Sequence, residues 1–241
     1  MKEAQYKTTR DLVSASELDV KSQQVYRNYI KTLVNRYKDS PAVFAWELGN
    51  EPRCSSGNYT TILEWATSTS RYIKSLGPNH MVTTGEEGFF DASDGVNNGQ
   101  GVYSGVDGTS FAHNIKIADI NYGTFHLYPN WRSYPYSWDN TWIQEHDVIG
   151  KEAGKPVLLE EYGTPFPHNH TETITPWLDT ILASGLAADQ IWQFGPNGTS
   201  VAPTNFADEI TISLADEFKI LGKDHAAAML QKKSARMEED S

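Results

Sequence analysis

Two glutamates follow apolar, strand-like runs, and their spacing suits paired acid–base chemistry. Glu51 closes FAWELGNE, and Glu161 closes PVLLEE 110 positions later. Two carboxyl groups that face each other can divide a reaction between them. The protonated one donates to a leaving oxygen, while the ionised one attacks or activates water. Glycoside hydrolysis usually needs two such carboxyl groups, facing each other across the scissile bond. The competing interpretation of any single glutamate is a solvated loop charge.

The elements that must position these carboxylates alternate along the chain. Helical spacing of apolar residues predicts helices over 20–38, 59–76, 137–154, 173–185 and 208–221. Short apolar runs predict strands over 42–48, 80–85, 119–128, 156–163 and 189–195. Strands that alternate with helices are typical of parallel βαβ units.

Polar residues collect where the predicted strands end. They are Asn50 and Glu51, Glu86 and Glu87, His126 and Tyr128, Glu160 and Glu161, and Trp192. In a (β/α)8 barrel that edge carries the active site. A doubly wound sheet also binds ligands there, but the chain has neither a G-x-G-x-x-G motif nor a P-loop. We therefore predict an α/β fold of the (β/α)8 barrel type, with Glu51 three strands before Glu161 and nearly opposite it.

Four blocks of sequence resemble a known family. FAWELGNEPR, GTFHLYP, PVLLEEYG and IWQFG, in this order and spacing, are similar to glycoside hydrolase family 5, and within it to the secreted fungal endo-β-1,4-mannanases. The resemblance covers about residues 20 to 195. It implies retaining cleavage of β-1,4-mannosidic bonds in β-mannan, glucomannan or galactomannan, with Glu51 as acid/base and Glu161 as nucleophile.

The resemblance also implies substrate-binding residues. They are Asn50, Arg53, Glu86, His126, Tyr128 and Trp192. Asn50 would bond the sugar 2-hydroxyl, and Arg53 would reach the aglycone side. Tyr128 would bond the nucleophile, and His126 would support the acid/base side. Trp192 would form the stacking floor of the −1 subsite.

Each of these roles has a structural alternative. His126 is also explained as a core histidine, Trp192 as barrel packing and Tyr128 as the start of a loop. Two histidine pairs were considered as metal ligands, His113 with His126 and His168 with His170. Neither has the helical spacing or the neighbouring cysteines of a metal site, so we predict no metal and no cofactor.

The length before the N-E-P motif predicts an incomplete barrel. In the family this motif ends the fourth strand, and three preceding units need roughly 90 residues. We therefore expect strands four to eight only, with an irregular segment over 1–19, a partial barrel over 20–222 and a charged tail over 223–241. Exposed strand edges of such a barrel would favour self-association.

Bulk properties exclude some partners. A net charge of −11 argues against nucleic acid, and no apolar run is long enough for a membrane span. The first residues lack the apolar core of a signal peptide, although the resemblance implies an extracellular enzyme. Sequons at Asn58, Asn169 and Asn197 fit a secreted glycoprotein. The aromatic share of 12% suits sugar stacking.

Two other functions remain open from the sequence. One is a β-1,4-glucanase of the same family, because the loops that determine substrate preference cannot be derived from the sequence. The other is a barrel fragment that binds carbohydrate without turnover.

Overall fold

The computed structural model describes residues 20–54, 57–165, 169–195, 211–212 and 215–239. The helices are α1 (Val20–Tyr37), α2 (Tyr59–Leu76), α3 (Phe111–Asn114), α4 (Trp138–Ala153), α5 (His170–Ala183), α6 (Ala215–Phe218) and α7 (His225–Glu239). The strands are β1 (Ala45–Glu47), β2 (Met81–Thr83), β3 (Gly123–Leu127), β4 (Val157–Tyr162) and β5 (Ala188–Ile191). Every predicted strand is present but shorter than predicted, and β5 begins one residue before its predicted range.

The chain divides into two compact units, and the first comprises Met1–Phe125 with Ile149–Pro156. In its described part β1 and β2 pair in parallel, with Ala45 opposite Met81. The core beside them holds Leu48, Ile62 and Val82, each at most 1% exposed. Burial of such aliphatic side chains supplies about 1.5–3 kcal/mol each. This packing fixes the end of β1, where the N-E-P motif begins.

Helix α2 has the bounds that the sequence predicts, because both of its ends are capped. The side chain of Asn58 accepts a hydrogen bond from the Thr60 amide, and the Gly77 amide donates to the carbonyl of Ile73. Asn58 and Asn169 are both sequon asparagines and both N-cap residues, since the Asn169 side chain accepts from the Glu172 amide. That cap starts α5 at His170, three residues before the predicted start.

The second unit comprises His126–Val148 and Val157–Ser241, so the division falls inside β3 and inside α4. The strand order is β3-β4-β5, with β4 and β5 parallel. Leu159 lies opposite Asp189 and Tyr162 opposite Ile191, so three steps of β4 match two of β5. We refer to this break in register, which contains Glu160 and Glu161, as the β4 bulge. Bulges of this kind redirect side chains and are common beside active sites.

The C-terminal residues are helical over a longer stretch than predicted. Helix α6 leads into a π-helical stretch, Lys219–Asp224, and then directly into α7. The predicted start at 208 lies outside the described residues, and the predicted boundary between 222 and 223 falls inside this run. The Lys232 ammonium donates to the carbonyl of Ile181 at 2.9 Å, which fastens α7 to the end of α5.

Several large apolar side chains remain exposed near β1 in the first unit. Val25 on α1 is 69% exposed, Tyr29 is 60% exposed and Phe44 is 71% exposed. The self-association expected from such surfaces stays a prediction. Among the described residues, none of the helices combines the length and the apolar character that crossing a bilayer requires.

Candidate active site

Glu51 has an unusual backbone conformation at the end of β1. Its φ is +52°, in the left-handed region that non-glycine residues seldom adopt. The Glu51 amide donates to the carbonyl of Gly85 at 2.8 Å, so β2 helps to hold this conformation. Left-handed non-glycine residues concentrate at functional sites, where surrounding contacts impose them. Asn50 precedes Glu51 and is exposed, as a sugar-binding amide must be.

Arg53 lies among three carboxylates of the first unit. Its guanidinium forms a bidentate pair with Glu87, and it lies 3.8 Å from Glu51 Oε2 and 3.5 Å from Asp107 Oδ1. Burial alone would lower the pKa of Arg53, but the hydrogen bond and charge of Glu87 outweigh burial and raise it. Arg53 therefore carries a fixed positive charge beside Glu51. The aglycone contact expected of it stays a prediction.

Glu86 is buried in a network of hydrogen bonds within the first unit. Its side chain is 1% exposed. One carboxylate oxygen accepts from Thr84 at 2.9 Å, and the other accepts from Thr109 and Asn114 at 3.1 and 3.0 Å. The substrate contact expected of Glu86 stays a prediction, and the observed partners of its side chain all belong to the protein. The adjacent Glu87 is the carboxylate that holds Arg53, and nothing in the letters GEEG distinguishes the two.

The burial of Glu86 predicts a pH-dependent stability. Burial, partly offset by the Asn114, Thr84 and Thr109 hydrogen bonds, raises the pKa of Glu86 to about 7. The folded state then binds more protons than the unfolded state between about pH 4.5 and 7. We therefore expect the free energy of unfolding to fall by about 3 kcal/mol over that range from this group. Urea titrations at a series of pH values measure it.

Glu86→Gln is the diagnostic variant, because glutamine resembles the protonated carboxyl but does not ionise. The variant is expected to lose this fall in stability and to exceed the wild type above pH 7. Glu64→Gln, on the exposed side of α2, is the matched control. An unchanged pH dependence in Glu86→Gln would contradict the assignment.

A side chain of the second unit, the same unit to which Glu161 belongs, holds the Glu161 carboxylate. The Tyr128 hydroxyl donates to Glu161 Oε2 at 2.9 Å, as predicted from the sequence. Tyr128 is 8% exposed and stacks on Trp131, with ring centroids 4.1 Å apart. A phenol that donates to a carboxylate stabilises its ionised form. The hydrogen bond also restrains the orientation of the Glu161 carboxylate.

His126 lies between the two glutamates of the β4 bulge. Its Nδ1 is 3.7 Å from Glu161 Oε2, and its Nε2 is 3.6 Å from Glu160 Oε2. The side chain is 2% exposed, and Trp142 Nε1 donates to the His126 carbonyl at 3.0 Å. His126 is therefore both a buried residue and a neighbour of the candidate nucleophile. Its expected support of the acid/base side stays a prediction.

Two exposed tryptophans accompany these residues in the second unit. Trp192 follows β5, is 39% exposed, and its amide donates to the Tyr162 carbonyl at 2.9 Å. Trp131 is 43% exposed, in the 3-10 helix Pro129–Arg132. Sequence reasoning named Trp192 and missed Trp131. The missed signal was its spacing of three residues from Tyr128, which lets the two rings stack across one turn.

The predicted site residues fall into two groups. Asn50, Glu51, Arg53 and Glu86 belong to the first unit, and His126, Tyr128, Glu161 and Trp192 to the second. The pairing of Glu51 with Glu161 stays a prediction. Of the histidines considered as metal ligands, His113 is engaged by Ser110 and Asp94, and His168 lies outside the described residues.

Short parallel-paired strands lie between helices, and glutamates follow β1 and end β4, an arrangement compatible with a glycoside hydrolase of the α/β barrel class. Comparison with known proteins identifies the family. The model of the GH family 5 beta-mannosidase-like family matches residues 1–176. The chain belongs to this family.

Relatives and solved structures agree with this membership. The chain is 42% identical over 215 residues to "Probable mannan endo-1,4-beta-mannosidase A" of Aspergillus clavatus, covering 89% of this chain and 58% of the relative. It is 41% identical over 212 residues to "Mannan endo-1,4-beta-mannosidase A" of Hypocrea jecorina, covering 86% of this chain and 47% of the relative. The chain thus spans about half the length of the curated relatives it matches.

The solved structures include the endo-beta-1,4-mannanase of Thermotoga petrophila, with a TM-score of 0.79, 31% identity and coverage of 91% of this chain and 52% of that one. The endo-1,4-beta-mannanase of Rhizomucor miehei gives a TM-score of 0.78 at 31% identity, covering 92% of this chain and 64% of that one. The predicted fold class, an incomplete (β/α)8 barrel, is confirmed by these similarities.

Proposed function

We propose that this chain carries the catalytic glutamates of an endo-acting mannanase that cleaves β-1,4-mannosidic bonds with retention. Family membership supports the reaction class, and the names of the relatives support β-mannan as the substrate. The observation that carries the proposal is the Tyr128–Glu161 hydrogen bond at the β4 bulge. It orients a half-buried carboxylate at the position that the family resemblance gives to the nucleophile.

The mechanism assigns the two glutamates different protonation states. Glu51 protonates the glycosidic oxygen as the bond to the leaving sugar breaks, while Glu161 attacks the anomeric carbon. Water activated by Glu51 then hydrolyses the glycosyl-enzyme. Retention requires the two carboxyl groups about 5–5.5 Å apart. Asn50 binds the 2-hydroxyl, and Trp192 stacks on the sugar. Tyr128 orients Glu161, and His126 supports the acid/base side. An extracellular location and occupied sequons belong to the same proposal.

A covalent trap tests the proposal most directly. The chain is incubated with a 2-deoxy-2-fluoro-mannosyl donor that carries a good leaving group, and its peptides are then analysed by mass spectrometry. We expect one fluoromannosyl adduct, on Glu161. NMR of the first products from mannohexaose is expected to show the β-anomer. Labelling elsewhere, or α-anomer formed first, would contradict the retaining assignment.

Substrate choice needs a parallel measurement. Release of reducing ends from mannan and from carboxymethylcellulose separates a mannanase from a glucanase of the same family. Binding of mannohexaose without product, measured by calorimetry, would instead indicate a carbohydrate-binding barrel fragment.

A further inference from the structure

The β4 bulge that presents Glu161 is followed at once by a buried polar chain. Tyr162 is 1% exposed, and its hydroxyl donates to Asp189 Oδ2 at 2.7 Å. The other oxygen of the same carboxylate, Oδ1, lies 2.9 Å from His225 Nε2. Asp189 and His225 have side chains only 7% and 6% exposed. One carboxylate on β5 thus joins the residue after Glu161 to the first residue of α7.

The surroundings of Tyr162, Asp189 and His225 indicate which of their atoms donate hydrogen bonds and which accept them. Burial, together with the charge and hydrogen bond of Asp189, raises the pKa of Tyr162 well above its ordinary value. The phenol therefore keeps its proton and donates. Carboxylate oxygens accept hydrogen bonds, so the 2.9 Å contact with Asp189 Oδ1 fits the His225 tautomer that carries its proton on Nε2. Both oxygens of Asp189 are then satisfied by side-chain donors, which fixes its orientation.

Backbone contacts also connect Tyr162 to β5. The Trp192 amide donates to the Tyr162 carbonyl at 2.9 Å, and Tyr162 lies opposite Ile191 where regular pairing resumes. Tyr162 is therefore bonded to β5 through its backbone and through its hydroxyl. The extra residue of a bulge disrupts the ladder locally, so the contacts just after it decide how firmly Glu161 is held.

We propose that Asp189 and His225 are positioning residues, which hold the β4 bulge through Tyr162 and make α7 part of the support of Glu161. Both lie beyond the residues 1–176 that the family model matches. Their catalytic effect rests on the proposed function, whereas their effect on β4 does not. Tyr128 orients Glu161 through its carboxylate, and the Tyr162–Asp189–His225 chain orients it through the backbone. A displacement of about 1 Å at a reacting group costs as much as 10²-fold in rate.

The test compares variants of the full chain at a temperature where circular dichroism shows each to be folded. Tyr162→Phe removes one hydroxyl without changing the buried ring, and Asp189→Asn removes the charge at constant shape. His225→Ala breaks the contact with α7, while His225→Gln places an amide donor near the position of Nε2. Lys232→Met is the matched control, because Lys232 fastens α7 to the Ile181 carbonyl of α5, a different hydrogen bond from the one between His225 and Asp189.

Two readouts are measured on every variant. Hydrogen exchange of the peptide covering 157–163 reports the bulge and needs no activity. We expect exchange to be faster by about tenfold or more in Tyr162→Phe, Asp189→Asn and His225→Ala, near the wild-type rate in His225→Gln, and unchanged in Lys232→Met. The kcat on mannohexaose should fall by about 10- to 100-fold in the first three, with KM within about threefold.

The outcomes separate the two proposals. Faster exchange with an inactive wild type would overturn the proposed function and support the positioning role. Unchanged exchange and kcat in folded Tyr162→Phe and Asp189→Asn would overturn the positioning role alone. Equal losses in Lys232→Met would also overturn the positioning role, because they would show that the Tyr162–Asp189–His225 hydrogen bonds contribute only to general stability.

Discussion

Replacing Glu161 by alanine is expected to lower kcat on mannan by on the order of 10⁵-fold, the scale on which hydrolases lose activity when their nucleophile is removed. The substitution removes the atom that bonds to the anomeric carbon, so no glycosyl-enzyme forms. It also leaves the Tyr128 hydroxyl without its 2.9 Å acceptor, but that affects one hydrogen bond and not the reaction path. Initial rates of reducing-end release measure the loss.

Glu160→Ala is the matched control for this variant, because Glu160 occupies the same bulge and also faces His126. We expect a loss of at most about tenfold from it, through the orientation of His126. Azide added to Glu161→Ala should restore product formation with inversion, since a small anion fills the space of the carboxylate. Equal losses in the two variants would show that the choice of Glu161 over Glu160 is mistaken.

The sequence predicts the parts of this fold that depend on local patterns. Helix α2 is predicted to the residue because Asn58 caps its start and Gly77 ends it. The candidate glutamates can be placed after strands because runs of apolar residues precede them, and this pattern does not depend on which strands pair. Family motifs then add the roles, which local chemistry alone leaves open.

The parts that sequence reasoning missed depend on distant contacts. The left-handed backbone of Glu51 accompanies a hydrogen bond to Gly85, 34 positions further on. The β4 bulge at Glu161 is defined by the pairing register between β4 and β5, and no residue type in VLLEEY predicts it. The choice of Glu87 over Glu86 as the partner of Arg53 follows from which side chain the loop turns inward.

The electrostatics around Glu51 point to its distinct role. Arg53 supplies a fixed cation 3.8 Å from Glu51 Oε2, yet Glu87 holds that guanidinium by two hydrogen bonds. Glu51 thus shares the charge of Arg53 with Glu87 and with Asp107. A carboxyl that must alternate between acid and base needs neighbours that do not lock it in one protonation state.

Replacing Glu51 by alanine is therefore expected to give a loss that depends on the leaving group. On mannan, kcat/KM should fall by about 10²- to 10⁴-fold, the usual contribution of general acid catalysis. On an aryl β-mannobioside with a strongly acidic phenol, kcat/KM should fall by less than about tenfold, because that phenolate leaves without a proton. Stopped-flow release of the phenol should show a burst, since hydrolysis of the glycosyl-enzyme has lost its base.

Azide distinguishes this variant from an inactive or misfolded one. It attacks the glycosyl-enzyme without needing a base, so kcat on the aryl substrate should rise with azide and yield the β-mannobiosyl azide, with retained configuration. Asp107→Asn is the matched control, because it removes another carboxylate from Arg53 and should show neither the leaving-group dependence nor the azide effect. If Glu51→Ala loses the same fraction of kcat/KM on both substrates, another residue is the acid/base. If azide raises kcat as described, the acid/base is Glu51, at the end of β1.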